Sequence, residues 1–204
     1  MLLDLLLAAL ATGLALAVRP WRALPAGGPP WPWFAWWSAL PLLWGADHIA
    51  RIAIVQPLSG APLLVLMAGW PLAMLALWPA AAVLALMTDL AWADALHRMV
   101  WVGMLPGTLA LGLGTAVRRL LPGHLFIYIL GRAFLVTWAA CTLAGALLLW
   151  NSGTPVGTEP GVLMIARFLA ASGEAFLTGM LTAIFVAFRP EWLATYSDRL
   201  YLPK

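Results

Sequence analysis

Between Val162 and Phe188 the chain runs through a long apolar stretch that carries only two ionisable side chains, Arg167 and Glu174, and it stops abruptly at Arg189-Pro190. About 20 such residues form a helix long enough to cross the hydrocarbon of a bilayer. Glu174 lies about 12 residues into that helix, roughly 18 Å along its axis at 1.5 Å per residue. A carboxylate at that depth costs about 2.5 to 3.5 kcal/mol on insertion scales and cannot snorkel to water. It must therefore be protonated, paired with a guanidinium, or enclosed in a polar cavity. Arg167, two turns earlier on the same face, and Arg132 in the preceding apolar run are the candidate partners.

Other runs of the same kind fill the sequence, which is 64% hydrophobic and 9% charged over 204 residues. That balance excludes a soluble globular domain and points to an all-α integral membrane protein. The whole chain, 1–204, reads as a single polytopic membrane domain with room for about six or seven spans and none for a soluble module. The net charge of +3 comes from Lys and Arg scattered singly or in pairs beside apolar runs, a topology signal and not a nucleic-acid footprint. Cys141, the single cysteine, falls inside an apolar run and reads as a buried, inert thiol. Residues 1–18 lack a basic start, contain Asp4 and lead into Arg19-Pro20-Trp21-Arg22, so they read as a retained first span and not a cleaved signal.

A connector rich in Pro, Gly and Trp follows, whose prolines argue against a regular helix and whose tryptophans suit a membrane interface. The second span is predicted from about Phe34 to Val55, with Asp47, His48 and Arg51 near its centre and with Asp47 and Arg51 close enough on one face to neutralise each other. The stretch 60–87 is too long for one span and too short for two, and Gly69-Trp70-Pro71 and Pro79 interrupt it, which predicts a broken or re-entrant pair of helices. Asp89, Asp94, His97 and Arg98 then lead into a run ending near Val117, whose Gly103, Gly107, Gly112 and Gly114 allow close helix approach. Further spans are predicted at 125–150 and 162–188. The basic segments 19–22, 118–119 and 189–204 belong together on the cytoplasmic side, and 88–95 and 151–161 belong outside. An outside N-terminus, a cytoplasmic C-terminus and seven crossings satisfy all of them, whereas six would strand one basic segment.

Motifs for soluble-type chemistry are missing. There is no GxSxG, no HExxH, and no Ser or Cys with a nearby His and acid, so an enzyme is not expected. Gly112-Leu113-Gly114 lacks the third glycine of a dinucleotide loop, and no ATP-binding motif is present. His48, His97 and His124 are scattered, without paired spacing for a metal or a haem, so no cofactor is expected. Any ligand-binding role falls to Asp47, His48 and Glu174, with Arg51, Arg132 and Arg167 as ion-pair partners. Trp70, Trp138 and Trp150, together with Arg189, Pro190 and Glu191, are candidates for contact with lipid or a protein partner.

Three segments carry a family resemblance: Gly60 to Leu75 (GAPLLVLMAGWPLAML), Pro122 to Phe134 (PGHLFIYILGRAF) and Gly173 to Leu202 (GEAFLTGMLTAIFVAFRPEWLATYSDRLYL). They resemble the proteobacterial branch of the cobalt/nickel-type (CbiM-like) substrate-capture permeases of energy-coupling-factor transporters. The resemblance implies a seven-helix capture fold in the bacterial inner membrane that works with ATPase and transmembrane coupling subunits. Members that bind metal use a histidine at position 2 and another just before the Gly-Ala element of the first of these segments. Here those places hold Leu2 and Gln56-Pro57-Leu58-Ser59 ahead of Gly60-Ala61. The remaining donors, Asp4, Asp47, His48 and Glu174, form an oxygen-rich set that Co²⁺ or Ni²⁺ does not favour, which implies a divergent substrate. The alternative is a non-transporting accessory subunit docked on a larger respiratory or photosynthetic membrane complex.

Overall fold

A chain that leaves water must satisfy every backbone N–H and C=O internally, and helices do this within one segment. The computed structural model describes residues 1–23, 28–50, 56–154 and 159–202. Among them every regular element is helical: α1 (Leu2–Ala17), α2 (Trp31–Trp44), α3 (Ala46–Ala50), α4 (Ala61–Ala68), α5 (Trp70–Thr88), α6 (Trp92–Leu120), α7 (Ile127–Ser152), α8 (Pro160–Phe188) and α9 (Asp198–Tyr201). Four of these, α5 to α8, are long and apolar enough to cross a membrane. The fold is all-α and suited to a bilayer.

Leu6, Leu10, Leu14, Phe176 and Ile184 point away from the protein and are exposed, as lipid-facing side chains are. The inner stripe of α1 is the reverse, with Asp4, Ala8, Ala11 and Ala15 buried against α5 and α6. Small residues let these backbones approach closely, since lipid provides no hydrophobic drive to bring helices together. Trp44, Leu40, Leu77 and Met99 fill the centre with no exposed surface. Within α6, Met99–Met104 widens into π-helical turns, a local irregularity that neighbouring side chains must support. Gly103 lies there, and a Cβ on it would come 2.7 Å from the Trp44 ring. Gly103→Ala is expected to cost about 1 to 3 kcal/mol through overpacking, measurable as an earlier thermal transition in detergent. Gly107 likewise meets Met74, whereas Gly112 faces open space and serves no packing role.

The helices group their ends. Asp4, Asp47, His97, Arg98 and Ser152 converge at one end, through contacts among His97, Asp4 and Ser152 and between Arg98 and Asp47. At the other, Trp33 donates to the Trp192 carbonyl, Gly123 packs on the Leu200 carbonyl, and the turn Pro20–Ala23 lies on α5. The basic segments around Arg19, Arg118 and Arg189 thus share one end of the bundle.

Three boundary expectations are corrected. The connector prolines do not delay α2 to Phe34, because Pro32 falls in the first turn, where no N–H is needed. The helix then stops at Gly45, so Asp47 and His48 sit on the short α3 beyond its end and not mid-span. The 60–87 stretch is broken as predicted, but at Gly69 alone, whose φ of 80° and ψ of 155° suit only glycine. Pro79 lies inside an unbroken α5.

Candidate functional site

At about 12 Å, α4 is too short to cross a bilayer. It is also buried from Ala61 through Met67. A helix inside the protein exposes its first N–H and last C=O groups to whatever surrounds it, and each orphan is costly in apolar surroundings. Both ends of α4 are satisfied by residues far away in sequence.

At its start, the Ser59 and Gly60 N–H groups donate to Glu174, at 2.7 Å to Oε2 and 2.9 Å to Oε1. The carboxylate is 3% exposed and faces the positive end of the α4 dipole. The carbonyls of the same turn are met from the other side, with the Trp44 indole donating to Ser59 at 2.7 Å and the Trp36 indole to Gly60 at 2.8 Å. The Cys141 thiol lies against the Glu174 carboxylate. Neither expected guanidinium takes the acid, because backbone donors already occupy both of its oxygens. Arg132 instead donates toward the Thr195 carbonyl and the Tyr201 hydroxyl, and Arg167 donates through Nη1 to the Gly145 carbonyl.

At the end of α4, the extended tail supplies the donors. Ala194 N–H reaches the Met67 carbonyl at 2.9 Å, and the Thr195 N–H and hydroxyl reach Leu66 at 3.3 and 3.0 Å. Tyr128 holds the Thr195 hydroxyl at 2.9 Å, and the Tyr128, Tyr196 and Tyr201 rings pack together under Arg132. Burial and the adjacent Asp198 push the Tyr196 phenol up to about 12, so it remains neutral.

Two cavities lie between α4's start and the opposite end of the bundle. The inner one, about 60 Å³, is bordered by Glu174, Ser59, Cys141, Gln56 and Arg167. The outer one, about 360 Å³, is bordered by Asp47, His97, Arg98, Ser152, Gln56 and Arg167. Gln56, Trp101, Leu148 and Arg167 line both, so the two form one cleft of mixed lining, with polar side chains set among apolar ones, that deepens toward Glu174.

Of the predicted ligand-binding residues, Asp47 borders the outer part of this cleft and Glu174 the inner part. His48 borders neither; it is half-exposed, with Nε2 3.9 Å from Asp47. Arg51 lies outside the described residues, and the partner that Asp47 has is Arg98, whose Nη1 and Nη2 fork onto its two oxygens at 2.7 and 2.6 Å. Arg98→Gln is expected to cost about 1.5 to 3 kcal/mol, the worth of hydrogen bonds to a charged group. Faster hydrogen exchange confined to α3 and its neighbours would register it. Asp4 is spoken for as well, accepting from the Trp101 indole at 2.8 Å and lying 3.2 Å from the terminal amine and 3.3 Å from His97. Trp70 and Trp138 are half-buried and tie helices together through Thr108 and Ser172, whereas Trp150 is 87% exposed. Arg189 and Glu191 form an exposed pair at 3.6 Å on either side of Pro190. Among the described residues no three His, Cys, Asp or Glu side chains converge as a metal site.

No family model matches the chain, and no curated protein or solved structure is significantly similar to it. The reading of the cleft therefore rests on its own residues.

Sequence reasoning passed over Arg98, Gln56 and the Trp36 and Trp44 indoles. Arg98 carried a signal, a cation beside an acidic loop at a span start. The indoles carried none, because their acceptors are backbone carbonyls of residues 59 and 60.

Proposed function

We propose that the chain is the membrane-embedded substrate-capture subunit of an energy-coupling-factor-type transporter, with a substrate that departs from the cobalt and nickel ions of the family it resembles. The observation that supports this reading is the cleft, which among the described residues runs from one end of the bundle to Glu174 at the buried start of α4. A capture subunit needs such a blind pocket open to one side, and an accessory subunit does not. In this reading the chain crosses the bacterial inner membrane seven times. The stretch 60–87 makes two of these passes as α4 and α5, the N-terminus lies outside, and the basic end with α9 faces the cytoplasm and the ATPase and coupling subunits. The grouping of Arg19, Arg118 and Arg189 at one end agrees with that orientation.

Cobalt or nickel as cargo fits poorly, because these ions prefer imidazole donors and the cleft offers His97 alone, already engaged with Asp4 and Ser152. An accessory subunit is favoured by one observation, the exposed Trp150 near the open end. Purification from native membranes in mild detergent decides between the two. ATPase and coupling subunits travelling with the chain would support capture. A respiratory or photosynthetic complex in their place would sink it.

A further inference from the structure

We infer that the cleft binds a small oxyanion, a carboxylate or phosphate group, with Arg167 as its principal contact. The inference rests on the capture reading for its biological meaning and names the chemical class of the substrate at that site.

The charges around the cleft are settled pair by pair. Asp47 has both oxygens on the Arg98 fork. His97 faces Asp4 on one side and the Ser152 hydroxyl on the other. Glu174 has its oxygens on two backbone N–H groups at the positive end of α4. Arg167 is different. Among the described residues no carboxylate lies within salt-bridge distance of it. Its Nη1 meets only a carbonyl, and its Nε is buried without a partner.

A guanidinium stays charged at any physiological pH, so even a half-buried one such as Arg167 is expensive in a membrane without a counter-charge. The Arg167 stem packs on Gly145 of α7, where a Cβ would stand in ordinary van der Waals contact, 3.4 Å from Cδ. Arg167 borders both halves of the cleft, the inner cavity and the 360 Å³ outer one. Planar guanidinium donors suit carboxylate and phosphate oxygens. A bare divalent cation at the same place would meet an unneutralised positive charge.

The test uses the full chain in dodecyl maltoside, which carries neither carboxylate nor phosphate. Sodium succinate and sodium phosphate are titrated against chloride at constant ionic strength, by calorimetry and thermal unfolding, with Co²⁺ and phosphatidylglycerol in parallel. Saturable binding of succinate or phosphate is expected, with at least a tenfold loss in Arg167→Gln. Phenylglyoxal labelling of the unaltered protein, read residue by residue by mass spectrometry, gives a second measure that does not depend on the variant folding. Succinate or phosphate should slow labelling at Arg167 and leave Arg189 unchanged.

The inference is overturned if neither anion binds, if Arg167→Gln binds as well as the parent, or if labelling of Arg167 is indifferent to both anions. Saturation by Co²⁺ or phosphatidylglycerol alone overturns it too. Transporter partners without anion binding would sink this inference alone; anion binding without those partners would sink the capture reading alone.

Discussion

Replacing Glu174 with alanine should destabilise the protein by roughly 2 to 6 kcal/mol, at about 1 to 3 kcal/mol for each buried donor left without a partner. The donors are the N–H groups of Ser59 and Gly60, and among the described residues Glu174 is the acceptor they meet. Glu174→Gln retains one acceptor oxygen and turns an amide NH₂ toward the second N–H, so about half that loss is expected. Thermal unfolding in detergent gives the magnitude, and hydrogen exchange at residues 59–64 gives the place. If Glu174→Ala melts with the parent and exchange there is unchanged, the carboxylate does not hold the start of α4, and a mobile, substrate-facing acid becomes the better account of it.

Gly60→Ala should be nearly as damaging. The residue has φ of 65°, where a side chain costs about 1 to 2 kcal/mol. An added Cβ would also collide with Leu40 Cδ2 in the closed core, an overpacking worth about 1 to 3 kcal/mol more. The sum is roughly 2 to 5 kcal/mol. The two parts separate in a double variant. Leu40→Ala added to Gly60→Ala should recover the steric share, net of its own cavity, and none of the backbone share. Complete additivity of the two losses would show that Leu40 is not what the new methyl meets.

These residues show how far the chain could be read before its fold was seen. The all-α class, the break in 60–87 and the common end of the basic segments were legible, because each follows from local signals: apolar run length, a Gly-Trp-Pro sequence, and Arg beside apolar runs. That Glu174 needs an accommodation was legible for the same reason. What accommodates it was not, since a charged side chain invites a search for opposite charge and its actual partners are two peptide N–H groups. Such donors exist at every residue and are special only where a helix begins in the interior. Asp47 was misplaced for a related reason. Apolar residues resume after the polar Asp47, His48 and Arg51 and run on to Val55, which extends the apparent span, while the helix stops at Gly45 and hands Asp47 to Arg98, a partner 51 positions away.

The clamping of α4 at both ends by later parts of the chain has a consequence for biosynthesis. Ser59 leaves the ribosome 115 residues before Glu174, and Leu66 leaves 129 residues before Thr195. At about 5 to 20 residues per second, the start of α4 waits roughly 6 to 23 seconds for its acceptor. During that interval the half-helix cannot sit stably in lipid with open ends, so it remains with the insertion machinery or at the membrane surface until α8 arrives. The tail then closes the other end last. With Leu63→Cys placed in α4 and Cys141→Ser removing the native thiol, nascent chains arrested before residue 174 should therefore leave α4 open to a water-soluble cysteine reagent, and full-length chains should protect it. Assembly of this fold would thus finish with its C-terminus, and quality control would have an unfinished half-helix to recognise until then.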